Sequence, residues 1–417
     1  MSFARAIVIG AGLAGLSAAV ALRRAGLTVR IVDAAAQAGG RCRSYRDPQL
    51  GLTIDNGNHL VLSGNEAVKR FRTAIGATTP LTGPETADFP FRDIATGAEW
   101  KVRINDGRIP WWVLSTKRRV PATRATDYAA VARLMSGREG RIDGVVKPSG
   151  PVWDHLLAPV LLAALNTEPA QASAALAGAV LRETLAKGGR AMRPRIAEPS
   201  LAACFIDPAL EWLAQAGVAV QLGRRLQSIG LDDGRAASLG WTGETEAVAD
   251  DELIVLAVPA WIAADLLPGL TVPTEHRAIV NGHFAFPAPA HAPQMLGLIG
   301  GTAEWLFTFP DRLSVTVSAA EAIVDCERED LAATFWRDIT RALAFEAPMP
   351  AWQIVKEKRA TFAATPEQNA RRPGARTRWR NLVLAGDWTA TGLPATIEGA
   401  LRSGETAAAV ALRGGRG

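Results

Sequence analysis

The chain begins with an apolar run, Ala6-Ile7-Val8-Ile9, that has no polar position to give it a wet face. A short β-branched run of this kind predicts a strand buried on both sides, as in a parallel sheet. Gly10-Ala11-Gly12-Leu13-Ala14-Gly15 follows, then an Ala- and Leu-rich stretch over 16–25 that predicts a helix closed by Gly26. Val29-Arg30-Ile31-Val32-Asp33 predicts a second strand ending on an acid. Further along, Val218-Ala219-Val220-Gln221-Leu222 predicts a strand, residues 226–229 resume one, and Asp233-Gly234 marks a hairpin turn. Residues 252–259, nearly all apolar, predict a strand returning to the first sheet, and residues 330–344 predict a helix. Near the end, Leu382-Val383-Leu384-Ala385 predicts a last strand, followed by a Gly/Pro turn and an Ala- and Gly-rich helix. Strands that alternate with helices in this way predict an α/β fold.

The glycines of the first turn have separate mechanical roles. Gly10 permits a tight turn, Gly12 lets a pyrophosphate approach the backbone, and Gly15 lets the helix pack close on the strand. The helix N-terminus then offers N–H groups and the positive end of its dipole to phosphate. Asp33 follows Gly12 by about 20 residues, where a carboxylate accepts ribose hydroxyls and disfavours a 2′-phosphate. The pattern therefore points to FAD or NAD rather than NADP.

Composition bounds the rest. At 417 residues, with 48% hydrophobic and 21% charged content, the chain is globular and exceeds what one core usually fills, so two lobes are expected. A net charge of +5, spread along the chain, leaves no nucleic-acid footprint. Cys42, Cys204 and Cys326 lie far apart without a CxxC pair, which excludes a disulfide framework and fits a reducing cytoplasm. His155, His276, His283 and His291 show no ligand spacing, so no metal is expected. The longest apolar run, over 156–165, contains Pro159 and falls short of the ~18 residues of a membrane span. Met1 to Arg5 lead straight into the first strand, which predicts no signal peptide.

Two further runs carry candidate chemistry. Gly39-Gly40-Arg41 places two glycines and a guanidinium where they can meet phosphate or flavin, and Gly386-Asp387 ends the last strand in a carboxylate suited to a ribityl hydroxyl. With Gly10 to Gly15 and Asp33, these runs resemble the flavin-containing amine oxidase and phytoene desaturase superfamily over nearly the whole chain. Asp55-Asn56-Gly57-Asn58-His59, Leu161-Leu162-Ala163-Ala164-Leu165-Asn166-Thr167, Gly300-Gly301-Thr302-Ala303-Glu304-Trp305 and Ala385-Gly386-Asp387-Trp388-Thr389 resemble, more particularly, the bacterial hydroxysqualene dehydroxylases. One departure is Asn58, where that group carries Gln, a longer amide.

The resemblance implies a Rossmann-like FAD-binding domain interleaved with an α+β substrate domain. The first is expected over 1–75, 200–265 and 375–417, the second over 76–199 and 266–374. It implies noncovalent FAD, since no cysteine lies beyond Cys326, with contacts that also include Leu13, Ala14, Gly57, Asn58, Leu226, Pro394, Ala395 and Thr396. It further implies a long-chain isoprenoid substrate that loses an allylic hydroxyl; an oxidative phytoene-type desaturase or an amine oxidase is the alternative. A reductase or another squalene-pathway enzyme is the expected partner, because the chain has one GxGxxG and no second dinucleotide site. Beside the flavin, His59 is the candidate proton donor, with Asn56 and Asn58 next to it and Asp55 anchoring the turn. Finally, Trp111-Trp112, set between Arg103, Arg108 and Lys117-Arg118-Arg119, suits contact with an anionic membrane surface, core packing being the alternative.

Overall fold

A computed structural model describes residues 3–414. Its first sheet has five parallel strands in the order Ala219–Gln221, Thr28–Val32, Arg5–Ile9, Glu252–Leu256 and Leu382–Leu384. Three distant parts of the chain therefore meet in one sheet. The apolar runs are continuous because both faces are covered. Ile7, Ile9, Ile254 and Leu256 enter the core shared with the second lobe. Ala6, Val8, Leu253 and Val255 enter the core made with the helices on the other side.

The helix Leu13–Arg24 starts from Gly12 and lies buried against Ile397–Gly414. The approach is so close that a Cβ on Gly404 would come within 2.3 Å of the Ala14 carbonyl oxygen. Ser17 Oγ donates to the Leu401 carbonyl at 2.8 Å and pins the crossing. The expected hairpin is also present, its strands running Ser228–Asp232 and Arg235–Trp241. Asp233 and Gly234 form the two-residue turn with φ of +41° and +68°, the left-handed pair that an Asp-Gly turn favours.

The second lobe is built on a seven-stranded mixed sheet, ordered Trp352–Phe362, His276–Phe284, Leu313–Val317, Trp305–Thr308, Met295–Ile299, Ala87–Asp93 and Glu99–Ile104. Its two faces differ sharply. Val280, Phe284, Leu313 and Val315 point to the helix Arg328–Leu343 and pack on Phe335 and Ile339. On the opposite face the alternate positions are polar, with Asn281 paired across from Thr316 and His283 from Ser314. The apolar run over 156–165 is a π turn, Trp153–Leu157, continued by the helix Ala158–Leu165. Asn166 ends that helix in a left-handed conformation, and its side chain bonds Ala319 N–H at 2.6 Å and Thr361 Oγ1 at 2.9 Å, tying helix to sheet.

Candidate active site

The first turn has the shape of a phosphate cradle. Gly10 adopts φ +114°, and a Cβ there would sit 2.4 Å from the Ala257 carbonyl oxygen. A Cβ on Gly15 would fall 1.9 Å from the Gly10 carbonyl oxygen. Both glycines are required for the protein to pack on itself. Gly12 is different: its φ is an ordinary −76°, and a Cβ there would meet no atom of the described residues within 4 Å. No packing demand explains a glycine at that position, whereas backbone left bare for a pyrophosphate does. Asp33, half-buried, accepts Ala11 N–H at 2.6 Å and Ala35 N–H at 2.7 Å. It braces the turn while each oxygen keeps a lone pair for a ribose hydroxyl. Leu226 is buried just beyond Gly223 and Arg224, whose N–H groups donate to the carbonyls of Ala35 and Asp33.

The two ends of the chain converge beside this turn. Gly39 N–H donates to the Ala11 carbonyl at 2.9 Å, and Gly39 and Gly40 hold φ of +106° and +56°. Arg41 reaches the buried Asp387 at 2.7 Å and the Ala360 carbonyl at 2.5 Å. The guanidinium expected on phosphate and the carboxylate expected on a ribityl hydroxyl thus form a pair that joins the two segments. Gly386 (φ +150°) is required because the Trp388 indole folds over it, 2.4 Å from where a Cβ would stand. That indole donates to the Val258 carbonyl at 2.9 Å. Pro394, Ala395 and Thr396 lead into the last helix, where Thr396 Oγ1 accepts Gly399 N–H at 3.0 Å. Glu398 turns away and accepts Ala67 and Val68 N–H at 3.0 Å each, capping the helix Glu66–Ala74.

Asp55-Asn56-Gly57-Asn58-His59 spans the gap between the lobes. The buried Asp55 accepts Ser44 Oγ–H at 2.5 Å and Leu201 N–H at 2.9 Å, an anchor whose burial raises its pKa. Asn56 donates from Nδ2 to Glu357 at 3.4 Å. Asn58 donates from its backbone to Asn281 Oδ1 at 3.3 Å and from Nδ2 to Thr316 Oγ1 at 3.0 Å. Thr316 in turn donates to Asn281 Oδ1 at 2.7 Å. The side-chain amides of Asn56 and Asn58 thus both donate to the polar face of the second sheet. The shorter Asn58 finds its own partner there. His59 Nδ1 lies 2.8 Å from the Gly57 carbonyl, which only accepts, so Nδ1 carries the proton and Nε2 is left for a ligand. Burial lowers its pKa, and the charge of Arg41 adds to that effect.

Several residues of the site give no sequence signal. Arg372, which reads as part of a basic loop, is buried against the Phe362 ring at 4.7 Å. It donates to the carbonyls of Asp387 and Thr389 at 3.1 and 2.5 Å, bracing the loop of the last strand, and burial lowers its pKa to about 10. His283, fully buried, bonds Ser314 Oγ at 2.9 Å, and burial pushes its pKa down to about 3, so it remains neutral. Its Nε2 has no partner among the described residues. Cys42 is buried beside Arg41, and its thiol is pushed up to about 12, which keeps it protonated. The two adjacent tryptophans separate. Trp112 is buried edge-on to Tyr128, so the core reading holds for it, while Trp111 is 47% exposed. No helix among the described residues is long and apolar enough to cross a membrane.

Comparison with known proteins agrees with this geometry. The family described as flavin containing amine oxidoreductase matches residues 13–412. The chain is 51% identical to the hydroxysqualene dehydroxylase of Rhodopseudomonas palustris, covering 98% of both chains. It is 49% identical to that of Sinorhizobium fredii, covering 97% of both. Its fold matches the solved cyclohexylamine oxidase of Brevibacterium oxydans with a TM-score of 0.73 over 99% of each chain, at 16% identity. The chain belongs to the flavin-containing amine oxidoreductases, as an FAD-dependent enzyme in the group of the hydroxysqualene dehydroxylases.

Proposed function

We propose that the protein removes the allylic hydroxyl of hydroxysqualene to give squalene, at the cytoplasmic face of a membrane. The observation that carries this reading is the near full-length likeness to relatives of that name, with identity reaching 51%. The proposed division has residues 1–75, 200–265 and 375–417 holding the cofactor, and residues 76–199 and 266–374 covering the substrate. Reduced FAD, when bound without a covalent link, supplies the hydride that replaces the hydroxyl, and a reductase or another squalene-pathway enzyme renews it.

The rest of the chemistry falls to the chain. Gly12 and the following helix N-terminus receive the pyrophosphate, and Asp33 receives the ribose. Arg41, Asp387 and the Pro394–Thr396 turn line the flavin end. The hydroxyl leaves as water only after it gains a proton, and the allylic cation that remains must be kept from bulk water. His59 is the proposed donor. Its Nδ1–H stays on the Gly57 carbonyl, so a proton is taken up and delivered at Nε2. The lowered pKa makes the imidazolium scarcer but a stronger acid, which suits delivery to a poor base such as an alcohol. Asn56 and Asn58 fix the loop that carries it.

Anaerobic incubation of the purified protein with hydroxysqualene and reduced flavin tests the reading, with products identified by mass spectrometry. Squalene is expected. Unchanged substrate under reduction, with a more unsaturated polyene under oxidation, would transfer the reading to a phytoene-type desaturase.

A further inference from the structure

We infer that the loop 105–119 is the surface by which this protein docks on an anionic lipid bilayer. Five large apolar side chains are exposed among the described residues, and three of them lie on this loop: Ile109 at 79%, Leu114 at 71% and Trp111 at 47%. Random scatter would not place three within six residues. Nor does looseness explain their exposure. Asn105 is buried and organises the loop from beneath, donating to the carbonyls of Gly107 and Ile109 at 3.0 and 2.9 Å and accepting Trp112 N–H at 3.1 Å. Trp112 plugs the core, so the backbone beneath Trp111 is held from inside.

Charge on the loop commits the occupant. Arg108, Lys117, Arg118 and Arg119 stand against one acid, Asp106, and Asp106 is already paired with Arg193 at 3.4 Å. The Arg118 guanidinium lies 4.6 Å from the centre of the Trp111 ring, so cation and indole are presented together. An exposed indole and two exposed aliphatic side chains beside several cations fit a bilayer surface carrying phosphate headgroups. Three side chains bordered by charge are small beside the about 800 Å² that each partner buries in a stable protein complex. An apolar C30 substrate gives the contact a purpose, and to that extent the inference rests on the proposed function.

Vesicle binding is measured on the flavin-loaded protein without substrate, so the outcome does not depend on which isoprenoid the enzyme takes. The parent is expected to sediment with phosphatidylglycerol vesicles, less with phosphatidylcholine, and less as salt rises. Ile109→Ser/Trp111→Ser/Leu114→Ser should weaken binding by about tenfold or more with flavin content unchanged. Arg108→Gln/Lys117→Gln should remove the preference for the anionic lipid. Trp111→Phe keeps the apolar contact, so it should still sediment while losing the part of the fluorescence that brominated lipid quenches. Failure of the parent to bind, or equal binding by the triple serine variant, overturns the inference. So does a change of oligomeric size in that variant, which would make the patch a contact between copies. Turnover of hydroxysqualene in detergent separates the two readings, since it should survive the serine substitutions.

Discussion

The phosphate turn and the Asp55–His59 loop stand close in sequence, yet they are held in place by opposite means. The turn is fixed by its own backbone: Gly10 in a left-handed conformation, Gly15 against the Gly10 carbonyl, and Asp33 bonded to Ala11. The loop has little local structure of its own and is fixed from far along the chain, by Asn281 and Thr316, 223 and 258 residues away, and by Leu201. The first kind of site depends on a few atoms, which lie within the turn or at the end of the neighbouring strand at Ala257. The second exists only once both lobes have formed, and each contact contributes a fraction of its order.

The sharpest way to break this comparison lies within the turn itself. Gly15→Ala drives a Cβ into backbone and should abolish soluble protein. Gly12→Val places its side chain in open space, so the variant should fold and melt close to the parent, at a cost of about 1 kcal/mol for a branched residue at a helix N-cap. Its flavin content, read from absorbance after gel filtration, should nevertheless collapse. Normal flavin in Gly12→Val would show that the turn serves another purpose.

His59 sharpens the comparison from the side of the loop. His59→Ala should keep FAD and lose ~10²–10⁴-fold in kcat, the usual scale of general acid catalysis. His59→Gln keeps a hydrogen bond but transfers no proton; a Gln variant near the parental rate would reduce His59 to positioning. If the imidazolium is the donor, the rate is full at low pH and falls as pH rises through a pKa that burial holds below the ordinary 6.5. A rate that is flat from pH 5 to 7 would remove the histidine from the proton path.

The same contrast explains what could be read from the sequence. Gly10, Gly12, Gly15 and Asp33 were legible because the constraint on each lies within the turn or one strand away. The strands of the first sheet were legible as patterns, since covered faces demand continuous apolar runs. Arg372 was not legible: nothing in an Arg-Arg-Pro-Gly segment indicates that one arginine is buried on Phe362 with its donors on the last loop. Asn281 and Thr316 sit in strands whose alternation marks a polar face but not what that face meets. Trp111 and Trp112 form one dipeptide, and only the tertiary fold decides which ring faces out.

A measurement on the second sheet gives a smaller effect. Glu304 precedes the strand Trp305–Thr308, its Oε2 accepting Ser318 N–H at 2.8 Å, and burial pushes its pKa up to about 7. The folded state therefore favours its protonated form. Stability from this residue is full below the ordinary value of 4.5 and is lost as pH rises through 7. Glu304→Gln keeps an acceptor for Ser318 without the charge. It should be more stable than the parent at pH 8, by roughly 2–3 kcal/mol, and no different at pH 4. Chemical denaturation at the two pH values checks this, and a difference of equal size at both would assign the effect to packing instead of charge.

The smallest expected effect bears most directly on how the loop is held. Thr316 Oγ1 accepts from Asn58 Nδ2 and donates to Asn281 Oδ1, so one hydroxyl joins the loop to two strands. Thr316→Val has nearly the same shape and removes both bonds, leaving Asn58 and Asn281 each short of a partner in a half-dry interface. The cost should be about 1–2 kcal/mol in unfolding free energy. Flavin content should be untouched, because the phosphate turn does not depend on this sheet. The kcat should fall, because His59 sits on the loop that has been loosened. Asn58→Ala alone should cost about as much, and the double variant less than the sum of the two, since they share the Asn58–Thr316 bond while only Thr316→Val also removes the bond to Asn281. Full additivity in that cycle would mean that Asn58 and Thr316 act independently and that the loop is held mainly through Asp55 and Asn281.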